Sequence, residues 1–337
     1  MAQQKALVLP EIRGTMKVTD VPIPKPGQGE ILVKVHSAGL NPIDWKIQKF
    51  GAPLVKEYPA ILGQNSAGVV EEIGEGVTKF QKGDKVFHQG HWILKSGTFQ
   101  QYTIAASDLV AKLPSNLSFD QAAVIPLALM AASVGFYHKD GAGLQGPWEG
   151  GEGKYKDQSI LIFGGTSAVG HYAIQLAKLA GFSTIISTCS PKNAELVKST
   201  GATHTIDRNA DIPAEVGKIL SEPLKLIWDT VSAADTQKQS IQILAPGGTL
   251  LLVAVPTEEV TAALGDRKAY RAFGSPYVHR ELASSIYAKL TEYLESGKLK
   301  PTEIEVLPNG LAGIPDGLQR LAENKVSAAK LVARPQE

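Results

Sequence analysis

This chain has little of what several common protein classes require. Its one cysteine, Cys189, excludes an intramolecular disulfide framework and any zinc site built from three or four cysteines. With a net charge of +1, nothing argues for a nucleic-acid or membrane surface. No run of 18 apolar residues occurs, so no spanning helix is expected. The N-terminal MAQQKALVLPEIRG has too short an apolar stretch for a secretion signal. Repeats and long low-complexity tracts are missing as well. A reducing cytoplasm fits these absences. What remains is a 337-residue chain with 43% hydrophobic residues, enough for two cores and hence two domains.

The first 125 or so residues read as a mostly-β module. Ala6–Leu9, Glu30–Ala38, Ser66–Ile73, Lys85–Phe87 and Gln100–Ile104 alternate like strands. Pro22, Pro24, Pro26-Gly27 and Lys82-Gly83-Asp84 punctuate them. From Asp120 to about Lys139 the spacing turns helical, and 141–157 reads as a Gly-rich exposed connector. A regular alternation follows. Ser159–Phe163, Thr184–Cys189, His204–Asp207, Leu224–Thr230 and Thr249–Val255 read as strands. Ala168–Ala180, Asn193–Ser199, Ile212–Leu220 and Ala234–Leu244 read as the helices between them. This pattern predicts a parallel, doubly wound sheet, so the fold class is α/β. The tail adds helices at 281–296 and 314–323 and strands at 304–307 and 330–333. It could rejoin the first module. The expected division is 1–125, 126–268 and 269–337.

The strand Ser159–Phe163 runs into Gly164-Gly165-Thr166-Ser167-Ala168-Val169-Gly170, which opens a helix. The dinucleotide fingerprint G-x-G-x-x-G places a tight turn, a close approach and a helix start at this point. Gly165 and Gly170 take its first and third places, and Ser167 replaces the middle glycine. In this reading Gly165 makes the turn, Gly170 lets the helix pack close, and the Ser167 hydroxyl can donate to a phosphate. The first N–H groups of the helix, at Thr166 to Val169, would meet the pyrophosphate. Unaided, the motif is weak, and an ordinary βα turn is the alternative. The hydrolase elbow G-x-S-x-G fails because position 169 is Val and the closing glycine comes one residue late.

The end of the second strand decides which nicotinamide cofactor is expected. An NAD site places a carboxylate there for the ribose 2′-hydroxyl. Here the run is Thr188-Cys189-Ser190-Pro191-Lys192-Asn193, with no acid before Glu195. Ser190 and Asn193 offer hydrogen bonds, and Lys192 offers charge to a 2′-phosphate. Arg208, after the third strand, could stack on adenine or add charge. NADP(H) is favoured over NAD. Val253 and Val255, at the end of the last parallel strand, are expected to wall the nicotinamide.

Several segments resemble the medium-chain dehydrogenase/reductase superfamily over nearly the full length. They are VPIPKPGQGEILVKV from Val21, AGLNPIDWK from Ala38, GQNSAGVVEEIGEGV from Gly63, VTKFQKGDKVF from Val77, the glycine turn, LAPGGTLLLV from Leu244 and SAAKLV from Ser327. The resemblance implies a GroES-like catalytic domain built from both chain ends, with a Rossmann domain between them. Zinc-dependent members carry Cys in the first loop and a His-Glu pair in the second. This chain has Asn41 and Gln64-Asn65, so it resembles the zinc-free branch, which implies no metal. The wording is similar to fungal stand-alone enoyl reductases, with quinone and alkenal reductases as neighbouring branches. His88-x-x-His91, the only close histidine pair, has no carboxylate or Cys beside it. The short-chain reductase signature, Tyr followed four residues later by Lys, is missing.

Without a Lewis acid, reducing an activated carbon–carbon double bond is the easier chemistry, because it needs an electrostatic partner for the enolate oxygen. By resemblance that partner, beside the nicotinamide ribose, is Lys46, both catalytic and cofactor-binding. Asp44 and Trp45 read as structural, and Lys330 as a structural or rim residue. Related enoyl reductases carry a Thr where this chain has Ala131, and Ser133 projects from another side of the helix. The substrate is therefore a small molecule with an activated double bond, carrier-bound or free. A pocket lined near 46–60, 88–97 and 265–280 is expected, in a monomer or homodimer. The alternatives are a quinone oxidoreductase and an NADPH-binding protein with little catalysis.

Overall fold

A computed structural model describes residues 2–51, 55 and 57–337. The chain divides into two compact units, one of residues 1–127 and 276–337, the other of residues 128–275. In the first, β1 (Gln3–Leu9) pairs with β2 (Lys17–Pro22). Then come β3 (Glu30–Gly39), α1 (Pro42–Phe50), β4 (Ala60–Ile61) and β5 (Asn65–Ile73). β6 (Lys85–Gln89), β7 (Tyr102–Ala106), β8 (Val110–Lys112) and α2 (Phe119–Ala122) follow. Helix α3 (Pro126–Tyr137) crosses into the second unit.

The second unit is the alternating part. Its strands are β9 (Ser159–Phe163), β10 (Thr184–Cys189), β11 (His204–Asp207), β12 (Leu224–Asp229), β13 (Leu244–Leu252) and β14 (Lys268–Arg271). Between them lie α4 (Ala168–Ala180), α5 (Ala194–Thr200), α6 (Ile212–Ile219), α7 (Ala234–Ile243) and α8 (Glu258–Ala263). The order β11-β10-β9-β12-β13-β14, parallel throughout, is a doubly wound sheet. Its inner strands β9, β10, β12 and β13 are largely buried because both faces are covered. Leu161, Phe163, Ile186, Ile227, Leu250 and Leu252 form the core.

The chain then returns to the first unit with α9 (Arg280–Glu295), β15 (Glu303–Val306), α10 (Ile314–Ala322) and β16 (Ala329–Ala333). β16 pairs antiparallel with β3, which makes the tail part of the first module's sheet, β15-β16-β3-β5-β6-β8. Ile31, Val33, Val70, Phe80 and Val86 pack one face of it.

Two expectations change. The second boundary falls after Ser275 instead of 268, because β14 adds a sixth strand to the parallel sheet. Four residues, KAYR, are too few and too polar to show periodicity. The connector 141–157 is only partly an exposed loop. Gly141, Gly146, Pro147 and Gly151 are buried, Trp148 meets Tyr137 edge-on at 4.9 Å, and Tyr155 stacks on Phe182 at 5.8 Å. The expectation of no spanning helix stands: the segment Phe119–Tyr137, which holds α2 and α3, is long and apolar enough by composition, yet 83% of its apolar window is buried inside the protein. A core helix passes the same test.

Candidate active site

In the second unit, the chain leaves β9 through a turn whose backbone is tightly constrained. Gly164 has φ +77°, so the left-handed conformation sits there and not at Gly165 as expected. Gly165 is required for a steric reason. A Cβ on it would overlap the Ser187 hydroxyl and lie 2.9 Å from Val197 Cγ1. A Cβ on Gly170 would overlap the Gly164 carbonyl, so the helix does pack close to the turn, as expected of that glycine.

The N–H groups of Gly164 and Gly165 go to Thr188, one to its Oγ1 and one to its carbonyl, each at 2.9 Å. Ser167 is the N-cap of α4, and its Oγ accepts the Gly170 N–H at 2.9 Å. It also lies 2.8 Å from Thr230 Oγ1. The Ser167 hydroxyl, expected to donate to a phosphate, is thus engaged within the protein. Ala168 and Val169 open the helix, where N–H groups have no carbonyl one turn back to accept them. They and Thr166 are half-buried and reachable. A pyrophosphate fits this cradle, met by backbone N–H groups and the helix dipole.

Beside this turn end β10 and β11, where Cys189 is in register with Asp207. Ser190 opens a 3-10 turn over Pro191–Asn193, closed by the Asn193 N–H to the Ser190 carbonyl at 2.9 Å. Ser190 and Asn193 are half-buried and Lys192 is exposed. Arg208 is anchored by its N–H to the Cys189 carbonyl at 2.9 Å, with its side chain exposed. The sheet therefore brings Thr166–Val169, Ser190–Asn193 and Arg208 to the carboxyl ends of three adjacent strands. β13 stops at Leu252, short of the expected Val255, because the Val253 N–H turns to Ser232 Oγ at 3.0 Å. Val253 and Val255 follow that end, and Val255 is 63% exposed. Ala131, on α3, is buried with its backbone and methyl against Gly274.

The corresponding region of the first unit is organised by buried side chains. Asn41 caps α1, and Asp44, one turn in, accepts the Asn41 N–H at 2.9 Å and the Gly63 N–H at 3.2 Å. Asp44 is fully buried, and desolvation pushes its carboxyl up to about 7. The charge facing it is Lys330 on β16, itself buried and lowered by desolvation to about 7. Lys330 Nζ donates to the Val124 carbonyl at 3.3 Å. Lys330 is therefore an interior residue rather than a rim residue. Two residues past Asp44 on the same helix, Lys46 is exposed, with its ammonium 5.7 Å from the Trp45 ring. Of the loop 46–60, residues 52–54 and 56 lie outside the described residues.

The three positions that carry ligands in zinc enzymes hold amides. Asn41 Nδ2 donates to Gly39 O, Gln64 Nε2 donates to Gly63 O, and Asn65 Oδ1 accepts from the Leu127 N–H. His88 is buried, with Nδ1 at 3.2 Å from the Gln89 carbonyl, and burial lowers it to about 4. His91 packs edge-on against Tyr277. Among the described residues, no group of three His, Cys, Asp or Glu could hold a metal.

The alcohol dehydrogenase GroES-like domain matches residues 27–115, and the zinc-binding dehydrogenase domain matches residues 168–289. Dehydrogenase azaJ of Aspergillus niger is 33% identical, covering 97% of each chain. This chain belongs to the medium-chain dehydrogenase/reductase superfamily. As a member it is an oxidoreductase for a small-molecule substrate, with the superfamily's nicotinamide chemistry. A trans-enoyl reductase of Gibberella fujikuroi is 32% identical, over 97% of this chain and 98% of its own. A solved superfamily structure, the quinone oxidoreductase of Coxiella burnetii, superposes with a TM-score of 0.78 at 26% identity, over 98% of this chain and 99% of that one.

Sequence reasoning missed three groups that organise both regions: Thr188, Thr230 and the Asp44–Lys330 pair. Hydroxyl residues at the ends of adjacent strands were a usable signal for the first two. No local signal joins residues 44 and 330.

Proposed function

We propose that this oxidoreductase uses NADPH to reduce an activated carbon–carbon double bond, an enoyl, enone or enal, without zinc. The observation that carries the reading is the chemistry of the side chains at the zinc-ligand positions. Three amides, each hydrogen-bonded into the surrounding backbone, replace Cys, His and Glu. Neutral amides are poor zinc ligands beside thiolate, imidazole and carboxylate. The preference for NADPH rests on Lys192 and Ser190 at the end of β10, with no carboxylate before Glu195. Relatives named trans-enoyl reductases support the substrate class.

When bound, the reduced nicotinamide supplies a hydride. The chain's own residues do the rest. Thr166, Ala168 and Val169 offer backbone N–H groups to the pyrophosphate. Ser190, Lys192, Asn193 and Arg208 would hold the adenosine end, and Lys192 would supply the charge for a 2′-phosphate. Val253 and Val255 give the nicotinamide an apolar wall. Lys46, exposed on α1, would supply a positive charge to the oxygen on which negative charge grows. The Asp44-anchored turn of α1 fixes the helix that carries it.

A steady-state assay of NADPH and NADH oxidation against an enal, an enone and a quinone tests this. NADPH-selective turnover of the enal or enone, unchanged by a chelator, is expected. Equal use of both cofactors would sink the NADPH claim, and rate loss on chelation would sink the zinc-free one. Turnover of the quinone alone would favour the quinone reductase reading, and tight NADPH binding without turnover a non-catalytic binder. Lys46→Ala should lower kcat about tenfold or more, the scale of one electrostatic partner; an unchanged kcat would return Lys46 to the scaffold.

A further inference from the structure

Thr230, just past β12, carries a hydroxyl in contact with the glycine turn at three points. It is only 7% exposed. Its Oγ1 donates to the Phe163 carbonyl at 2.6 Å, lies 3.3 Å from the Gly164 carbonyl and is 2.8 Å from Ser167 Oγ. A hydroxyl has one proton to give and two lone pairs to offer. With the Thr230 proton on Phe163, Thr230 accepts from Ser167. Ser167 then gives its own proton sideways and keeps a lone pair for the Gly170 N–H, 2.9 Å away.

We propose that Thr230 is a positioning residue for the dinucleotide's pyrophosphate, acting through Ser167. It locks Ser167 in the N-cap rotamer, so the cap consumes the third N–H of the helix and leaves those of Ala168 and Val169 for the ligand. It also holds the carbonyl side of the turn at Phe163, while Thr188 holds the N–H side. Without the Thr230 hydroxyl, Ser167 loses its acceptor and rotates freely between capping the helix and competing for the same anion. This inference rests on the nicotinamide reading of the turn.

The pyrophosphate is common to NADPH and NADH, so loss of Thr230 must weaken both equally. Lys192→Ala, in contrast, touches only NADPH. The experiment measures Kd for NADPH and NADH by the fluorescence of the reduced nicotinamide. It compares native protein, Thr230→Val, Thr230→Ser, Ser167→Ala and the double variant Thr230→Val/Ser167→Ala, with thermal midpoints recorded for each. Thr230→Val should raise both Kd values by about five- to tenfold, the scale of one net hydrogen bond. Thr230→Ser should bind within about twofold of native. The double variant should bind no worse than Ser167→Ala, because the two residues act in series. If Thr230→Val fails to fold, Thr230→Ala is read in its place. Native-like binding by the variant, a loss confined to NADPH, or additive effects in the double variant would each overturn the positioning role. Failure of the native chain to bind either dinucleotide would overturn the cofactor reading and this inference with it.

Discussion

The glycine turn after β9 and the α1 loop are built on opposite principles. The turn is specified by backbone. Gly164 supplies a left-handed φ, and Gly165 and Gly170 leave no room for a side chain. The N–H groups left over at the start of α4 are the ones proposed to meet the pyrophosphate. The α1 loop is specified by buried charge. Asp44 ties two N–H groups from separate segments, and a lysine from the far end of the chain faces it. Backbone sites announce themselves through glycine spacing. Buried-charge sites do not, because an Asp or a Lys looks the same in sequence whether it is solvated or interior.

The contrast can be broken most sharply at Lys330. In the native chain Asp44 has a folded value near 7, above its unfolded value of 3.8. The folded state therefore holds the proton longer, and the stability Asp44 contributes falls as pH rises from about 4 to 7. Lys330 has a folded value near 7, below its unfolded 10.5, so its contribution rises from pH 7 upward. Lys330→Met removes that rise and the cation that holds Asp44 down, so Asp44 keeps its proton to higher pH. Relative to the variant, the native chain should gain about 3 kcal/mol of stability between pH 5 and pH 9, because the folded chain releases the Lys330 proton that the unfolded chain keeps. Urea midpoints at the two pH values measure it. A gap independent of pH would mean that Asp44 and Lys330 do not titrate in the interior.

Gly170→Ala tests the other side of the comparison. Its new methyl would overlap the Gly164 carbonyl, which should cost about 1–3 kcal/mol. It should also weaken both dinucleotides by opening the turn. Thermal melts and dinucleotide titrations would show this, and native-like binding would mean that the close approach is not what forms the cradle. The smallest effect belongs to an exposed charge. Lys192→Ala should raise the NADPH Michaelis constant about tenfold or less, leave NADH unchanged, and lose its effect at high salt. An unchanged NADPH constant would remove Lys192 from the site.

Much of this was legible in advance. The alternation from Ser159 to Leu252 gave the doubly wound sheet because a parallel strand buried on both faces is an apolar run, and an amphipathic helix is not. The turn was found through Gly165 and Gly170, though the conformational burden lies on Gly164. The contact of Ser167 with Thr230 had no local signal, because the two are 63 residues apart. β14 and the packed connector 141–157 escaped because their order comes from neighbours and not from their own periodicity.

The sequence by itself determined the periodic elements, the place of the cofactor turn, the missing carboxylate after β10 and the amides at positions 41, 64 and 65. Each is a local property of residue type and spacing. Only the tertiary structure decided which hydroxyls are already engaged, which lysine is interior, and that the last strand of the chain closes the first module's sheet. Those depend on which polar groups lose water on folding and which partner replaces it. That choice is made by segments far apart in the chain.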